Sequence, residues 1–143
     1  YLLSMHPEAL ERIREEARRV CGERDPEWNE VQLLSYTRMV IQETMRLFPP
    51  IWALIRIAAG DDEIEGHKIK AGEKVIMWYV SGNRDERFMH NPDAFIIDRP
   101  DVRRHLSFGF GIHRLHEAVQ PARIAAAQRM CSAVFAAHQS QQH

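Results

Sequence analysis

The chain has 143 residues, a formal charge of −1 with both signs mixed along it, and two cysteines, Cys21 and Cys131, without paired-ligand spacing. That is about one domain's length, and the balance excludes a nucleic-acid footprint, a polybasic membrane surface, a disulfide framework and a zinc site. No apolar run approaches the roughly 20 residues that span a bilayer and no leader pattern opens the chain, so a soluble, cytoplasmic protein without a membrane span is expected.

The chain opens on Tyr1-Leu2-Leu3, as the interior of an element does, which predicts a fragment with apolar surface left exposed. Pro7 suits a first helical turn, Glu8 and Glu11 its positive end, Arg18-Arg19 its negative end and Gly22 its stop, so residues 7–21 are predicted helical. A polar connector with Arg24, Asp25 and Pro26 leads to a short amphipathic turn marked by Trp28, Val31 and Leu34. A capped helix is expected from Ser35 through Leu47, stopped by Pro49-Pro50, with Tyr36, Met39, Val40, Glu43, Arg46 and Leu47 largely on one face.

Beyond Pro50 the period changes. Short runs at 53–58, 62–65, 68–69 and 74–79, separated by Gly60, Gly66 and Gly72, predict strands of a small antiparallel sheet. Residues 81–87 are expected to form a helical turn, and Asn91-Pro92 opens an irregular meander. After Leu115 the chain turns rich in alanine and glutamine; residues 127–137 have helical composition, while Pro121 breaks any helix begun at His116. The expected class is mainly α with a small antiparallel β-sheet, in one domain.

Glu43 and Arg46 lie three apart on the predicted helix, a spacing worth only about 0.2–0.5 kcal/mol when exposed and ordinarily solvated. Among Tyr36, Met39, Val40 and Leu47 the pair is expected to be buried, and it then needs further partners to offset desolvation. Arg99, near the end of the run from Asn91 to Pro100, is the natural third member, because a planar guanidinium can bridge a buried carboxylate and nearby carbonyls.

The stretch from His105 to Arg114 has its own chemistry. Gly109 and Gly111 let the backbone approach a flat ligand closely, Phe108 and Phe110 supply flat apolar surface, and His105, His113 and Arg114 supply donors for anionic groups at the ligand's edge. This is a site for something flat and acidic.

In order, Glu43-x-x-Arg46, Leu47-Phe48-Pro49-Pro50, Arg56, Pro92-x-x-Phe95 with Arg99, and the loop at 105–114 resemble the C-terminal motif series of the cytochrome P-450 superfamily, over roughly residues 1–114. The resemblance implies the C-terminal part of that fold, with Glu43, Arg46 and Arg99 as its structural triad. It implies a haem cofactor, with Arg56, His105 and His113 at the propionates and Phe108, Gly109 and Gly111 in the cradle. The parent reaction it implies inserts one atom of O2 into a C–H bond of a small hydrophobic substrate, with electrons from a ferredoxin or flavoprotein reductase. Residues 74–114 look most like bacterial enzymes that hydroxylate aliphatic chains such as alkanes and fatty acids. Taken singly, Arg56 is more often a snorkelling surface residue and His105 a satisfied structural histidine; their place in the series favours the haem role. Arg103, Arg104 and Arg114 either steer an acidic ferredoxin-like partner or form a solvated basic cluster.

The family's proximal ligand is a cysteine thiolate, and its position is Leu115 here, with Glu117 where a glycine stands two places on. Leucine has no lone pair to offer; His116 would supply imidazole, and Cys131 lies far beyond the loop. The metal ligand is therefore unassigned, and this chain alone is expected to be inactive. Leu115-His116 can be encoded CTG CAT, which read one base later contains TGC, a cysteine codon. Two readings follow for residues 115–143: a frameshifted tail, or the drifted tail of a non-catalytic pseudo-enzyme or haem-binding remnant.

Overall fold

A computed structural model describes residues 1–24 and 26–109. A single turn of helix, α1 (Leu2–Met5), is followed at once by α2 (Pro7–Cys21), with Pro7 in the first turn and Gly22 beyond the last. After a 3-10 turn at Val31–Leu33 comes α3 (Ser35–Leu47). Both long helices have the bounds that their proline and glycine punctuation predicts.

Helices α2 and α3 pack on each other through Ile13, Tyr36 and Val40, covered by Leu3, Leu10, Met39, Phe95 and Ile97. A second cluster joins Ala17, Cys21 and Leu34, with Val20 against it. Full burial of side chains such as Ile13 and Val40 contributes about 1.5–3 kcal/mol each, which is enough to hold the pair side by side. Phe95 and Ile97 belong to the meander after Asn91, so the irregular segment closes the core.

The cap expected at the start of α3 is corrected by the structure. No side chain at the helix's own N-cap makes the bond; Glu16 of α2 supplies it. Its carboxylate accepts the N–H groups of Tyr36 and Thr37 at 2.8 Å each, and the hydroxyls of Ser35 at 3.2 Å and Thr37 at 2.8 Å. An anion at a helix N-terminus satisfies orphan donors and meets the positive end of the dipole. Here it also staples one helix to the next.

Four strands follow: β1 (Ala53–Ile57), β2 (Asp62–Ile64), β3 (His67–Ile69) and β4 (Lys74–Trp78). They pair antiparallel as β1 with β4, register Ala53 opposite Trp78 through Ile57 opposite Lys74, and as β2 with β3. Glu65 and Gly66, both at positive φ (50° and 82°), make the tight β2–β3 turn whose twist suits a two-residue hairpin. A one-turn helix, α4 (Tyr79–Gly82), starts directly after β4. It precedes the turn expected at 81–87, because the Asn83 N–H closes on the Tyr79 carbonyl at 2.9 Å and the Asn83 side chain is committed elsewhere. Further 3-10 turns at Val102–Arg104 and Leu106–Phe108 lead to the last described residue, Gly109. No helix among the described residues is long and apolar enough to cross a membrane.

Candidate functional site

Glu43 and Arg46 sit one turn apart on α3, both with no exposure at all. Glu43 Oε2 accepts from Arg46 Nε at 2.8 Å, and Oε1 accepts from Arg46 Nη2 at 2.8 Å, the Ile96 N–H at 3.0 Å and Arg99 Nε at 3.2 Å. Arg46 also donates through Nη1 to the carbonyls of Asn83 (2.9 Å) and Pro92 (2.6 Å), and through Nη2 to that of Ala94 (3.1 Å). A guanidinium has five N–H donors, and these contacts use all of them. Arg99 completes the network by donating to the carbonyls of His90, Asn91 (3.0 Å) and Ala94 (3.2 Å). Asn91 holds φ at 46°, in the left-handed region that asparagine enters more readily than most residues. Two arginines thus bind the segment from His90 to Arg99 onto α3 through its main-chain carbonyls.

Directly after this segment stand His105 and Phe108, both buried, with ring centroids 5.1 Å apart. His105 Nδ1 accepts the Ser107 N–H at 3.3 Å. Gly109 has φ 77°, where glycine alone pays no steric penalty. Gly111, His113, Arg114 and Leu115 lie outside the described residues.

Arg56 is on β1, exposed, with Nη1 on the Ile55 carbonyl at 3.2 Å. It borders an open cavity of about 340 Å³ together with Ile57, Asp61, Asp62, Ile69 and Val75. The structure therefore gathers Glu43, Arg46 and Arg99 in one network and His105 with Phe108 in another contact; Arg56 belongs to the sheet and shares no hydrogen bond or ion pair with the triad. In the basic cluster, Arg104 lies 5.6 Å from the Phe88 ring and 3.8 Å from the Asp101 carboxylate, and Arg103 is exposed. Arg87 stacks on Phe88 as well, and its guanidinium holds the Asp85 carboxyl below the usual aspartate range.

Sequence reasoning missed Asn83 and Ser107. Asn83 is 1% exposed, its Nδ2 donates to the Arg46 carbonyl at 3.0 Å and to Ser107 Oγ at 3.1 Å, and its Oδ1 accepts the Leu106 N–H at 2.7 Å. Ser107 Oγ in turn donates to the Met45 carbonyl at 2.6 Å. These partners lie 24 and 37 residues away in sequence for the Asn83 amide alone, so no periodicity marks them.

A helix whose buried Glu–Arg–Arg network anchors an incoming loop through main-chain carbonyls defines a protein built to present that loop. The chain belongs to the cytochrome P-450 family, whose model matches residues 1–114. Cytochrome P-450 109 of Bacillus spizizenii is 53% identical over 74 residues, covering 52% of this chain and 18% of the relative. Pentalenene oxygenase of Streptomyces avermitilis is 32% identical over 117 residues, covering 78% of this chain and 26% of the relative. Among solved structures, cytochrome P-450-153 from Novosphingobium aromaticivorans is 36% identical with a TM-score of 0.65, over 97% of this chain and 29% of that one. The chain thus spans 18% to 26% of the length of these two curated relatives.

The family's haem can be tested against the residues present. Imidazole and guanidinium groups, as on buried His105 and exposed Arg56, are of the type that binds carboxylates such as propionates. Leu115, at the position where the resemblance puts the family's thiolate, has no lone pair to offer an iron.

Proposed function

We propose that this chain is the haem-facing C-terminal part of a P-450-type monooxygenase whose parent reaction hydroxylates an aliphatic substrate such as an alkane or fatty acid, in the cytoplasm, with electrons from a ferredoxin or flavoprotein reductase. Arg56, His105 and His113 would hold the propionates, and Phe108, Gly109 and Gly111 would border the ring. Haem supplies the oxygen chemistry when bound; the protein supplies its binding and orientation. What this chain's own residues do is limited to that. Glu43, Arg46 and Arg99 fix the segment leading into the loop, and His105 with Phe108 stands at the loop's start. With Leu115 at the family's thiolate position, no catalytic step is assigned to the chain itself.

The observation that carries this reading is the buried His105–Phe108 pair, at the start of the glycine-hinged loop and directly after the triad-bound segment, in a chain of this family. Leu115 favours a second reading beside it, a non-catalytic relative that binds haem weakly or not at all. Titration of the 143-residue chain with haemin, followed by reduction under carbon monoxide, separates the two. Uptake with an imidazole-type spectrum supports a haem-facing but inactive chain, no uptake leaves only the non-catalytic relative, and a thiolate-type band overturns the inactivity. Sequencing the coding DNA from the His113 codon onward tests the tail: one deleted base that restores cysteine at 115 makes Leu115 a lesion in a monooxygenase gene, and an intact frame makes the loss genuine.

A further inference from the structure

We infer that Asn83 is the positioning residue of the loop at 105–109: its side chain, together with Ser107, sets the loop's register against the end of α3, while its main-chain carbonyl ties the same point to the triad. The last carbonyls of a helix lack partners within it. Here the Met45 and Arg46 carbonyls are met by Ser107 Oγ at 2.6 Å and Asn83 Nδ2 at 3.0 Å, so the loop is held by groups the helix must satisfy in any case. The Asn83 amide donates to α3 and to Ser107 and accepts from the Leu106 N–H, and the Asn83 carbonyl accepts from Arg46 Nη1 at 2.9 Å. One buried residue therefore clamps the loop with its side chain and the triad with its backbone.

Only a short side chain that both donates and accepts can make this clip. Aspartate, of the same shape, would set a carboxylate oxygen against the Arg46 carbonyl, and leucine would leave the Leu106 N–H without its acceptor. The approach is close as well: a Cβ at Gly82 would stand 2.9 Å from a terminal carbon of Leu106, so a side chain there would have to displace the end of the Leu106 side chain. None of the Asn83 side-chain bonds reaches α2 or the strands, so release of the clip should free the loop and leave the α2–α3 core in place. The importance of this register for haem rests on the function proposed above; the clip does not.

Native-state hydrogen exchange on the 143-residue chain, for wild type, Asn83→Asp and Ser107→Ala, tests it. Asn83→Asp is expected to speed exchange of the Leu106 amide at least about tenfold and Ser107→Ala about threefold, with the Tyr36 and Thr37 amides and the interior of α2 unchanged. An unchanged Leu106 amide in both variants overturns the clip, as does an equal loss throughout α2. If Asn83→Asp unfolds the chain, Ser107→Ala decides by the same criterion. Haemin titration of the same proteins reads the other half: weaker uptake by the variants supports the link to haem, equal uptake breaks it. A wild-type chain that takes up no haemin sinks the proposed function and leaves the exchange result to judge the clip.

Discussion

At the end of α3, Glu43 and Arg46 have no exposed surface, while on the β1–β4 ladder Ile55, Ile76 and Trp78 are 58%, 54% and 52% exposed. Charge is inside in one region and apolar surface is outside in the other. The difference lies in what each region must satisfy. Around Glu43, the arginine donors each find a carboxylate or carbonyl, so desolvation is offset group by group. On the ladder, main-chain pairing is joined on the exposed face only by modest cross-strand contacts, Ile55 opposite Ile76 and Trp52 against Trp78 with 5.2 Å between ring centroids. Polar residues carry the architecture at the site, and the exposed apolar ones contribute less on the ladder.

Glu43→Ala should break that contrast most severely. It leaves two buried guanidinium groups facing each other without their carboxylate, at a cost of about 3–5 kcal/mol in denaturant unfolding. A loss below about 1 kcal/mol would mean the triad is not what holds the segment from His90 to Arg99.

Glu16→Ala removes the shared cap and should cost about 2 kcal/mol, with fraying at Tyr36 and Thr37 visible in amide exchange. If α3 keeps its protection there, the α2–α3 staple is redundant with apolar packing.

On the other side, Ile55→Thr on the exposed ladder face should change stability by no more than about 0.5 kcal/mol in the same unfolding measurement. A large destabilisation would show that this surface is covered in solution.

The smallest effect concerns Asp61, whose carboxyl accepts the Ala71 N–H at 2.9 Å and Lys70 Nζ at 3.0 Å and is held below its ordinary range by these bonds, the backbone one foremost. A depressed acid stabilises the folded turn fully above its ordinary value, near about pH 4, and the contribution disappears as pH falls through the lowered value. The Ala71 amide shift in NMR should therefore titrate below pH 4. Asp61→Asn should abolish the titration, and a midpoint at or above the ordinary aspartate value would refute the bond.

Much of this was legible in the chain because it is locally encoded. Pro7 and Gly22 bound α2, Pro49-Pro50 stop α3, and Gly66 marks the β2–β3 turn, to which Glu65 belongs rather than to the strand expected over 62–65; each acts within a few residues of itself. The Glu43 and Arg46 spacing was legible as a helix-face pair, and Arg99 as the third partner came from the chemistry of guanidinium. Glu16 was not legible, since a glutamate on an amphipathic helix carries no mark that it will cap another helix some 20 residues on. Asn83 was hidden for the same reason.

By itself the sequence determined the two long helices, the strand positions, the family and the identity of the charged residues that must meet, because propensity, punctuation and motif order are short-range or chemical properties of the residues. Only the tertiary structure decided which backbone groups those residues satisfy: that Arg46 spends its donors on Asn83, Pro92 and Ala94, that Glu16 caps α3, and that Asn83 clips Leu106 and Ser107 to the helix end. A buried donor is satisfied by whatever acceptor the packing brings within about 3 Å, and that partner is fixed by three-dimensional position rather than by distance along the chain.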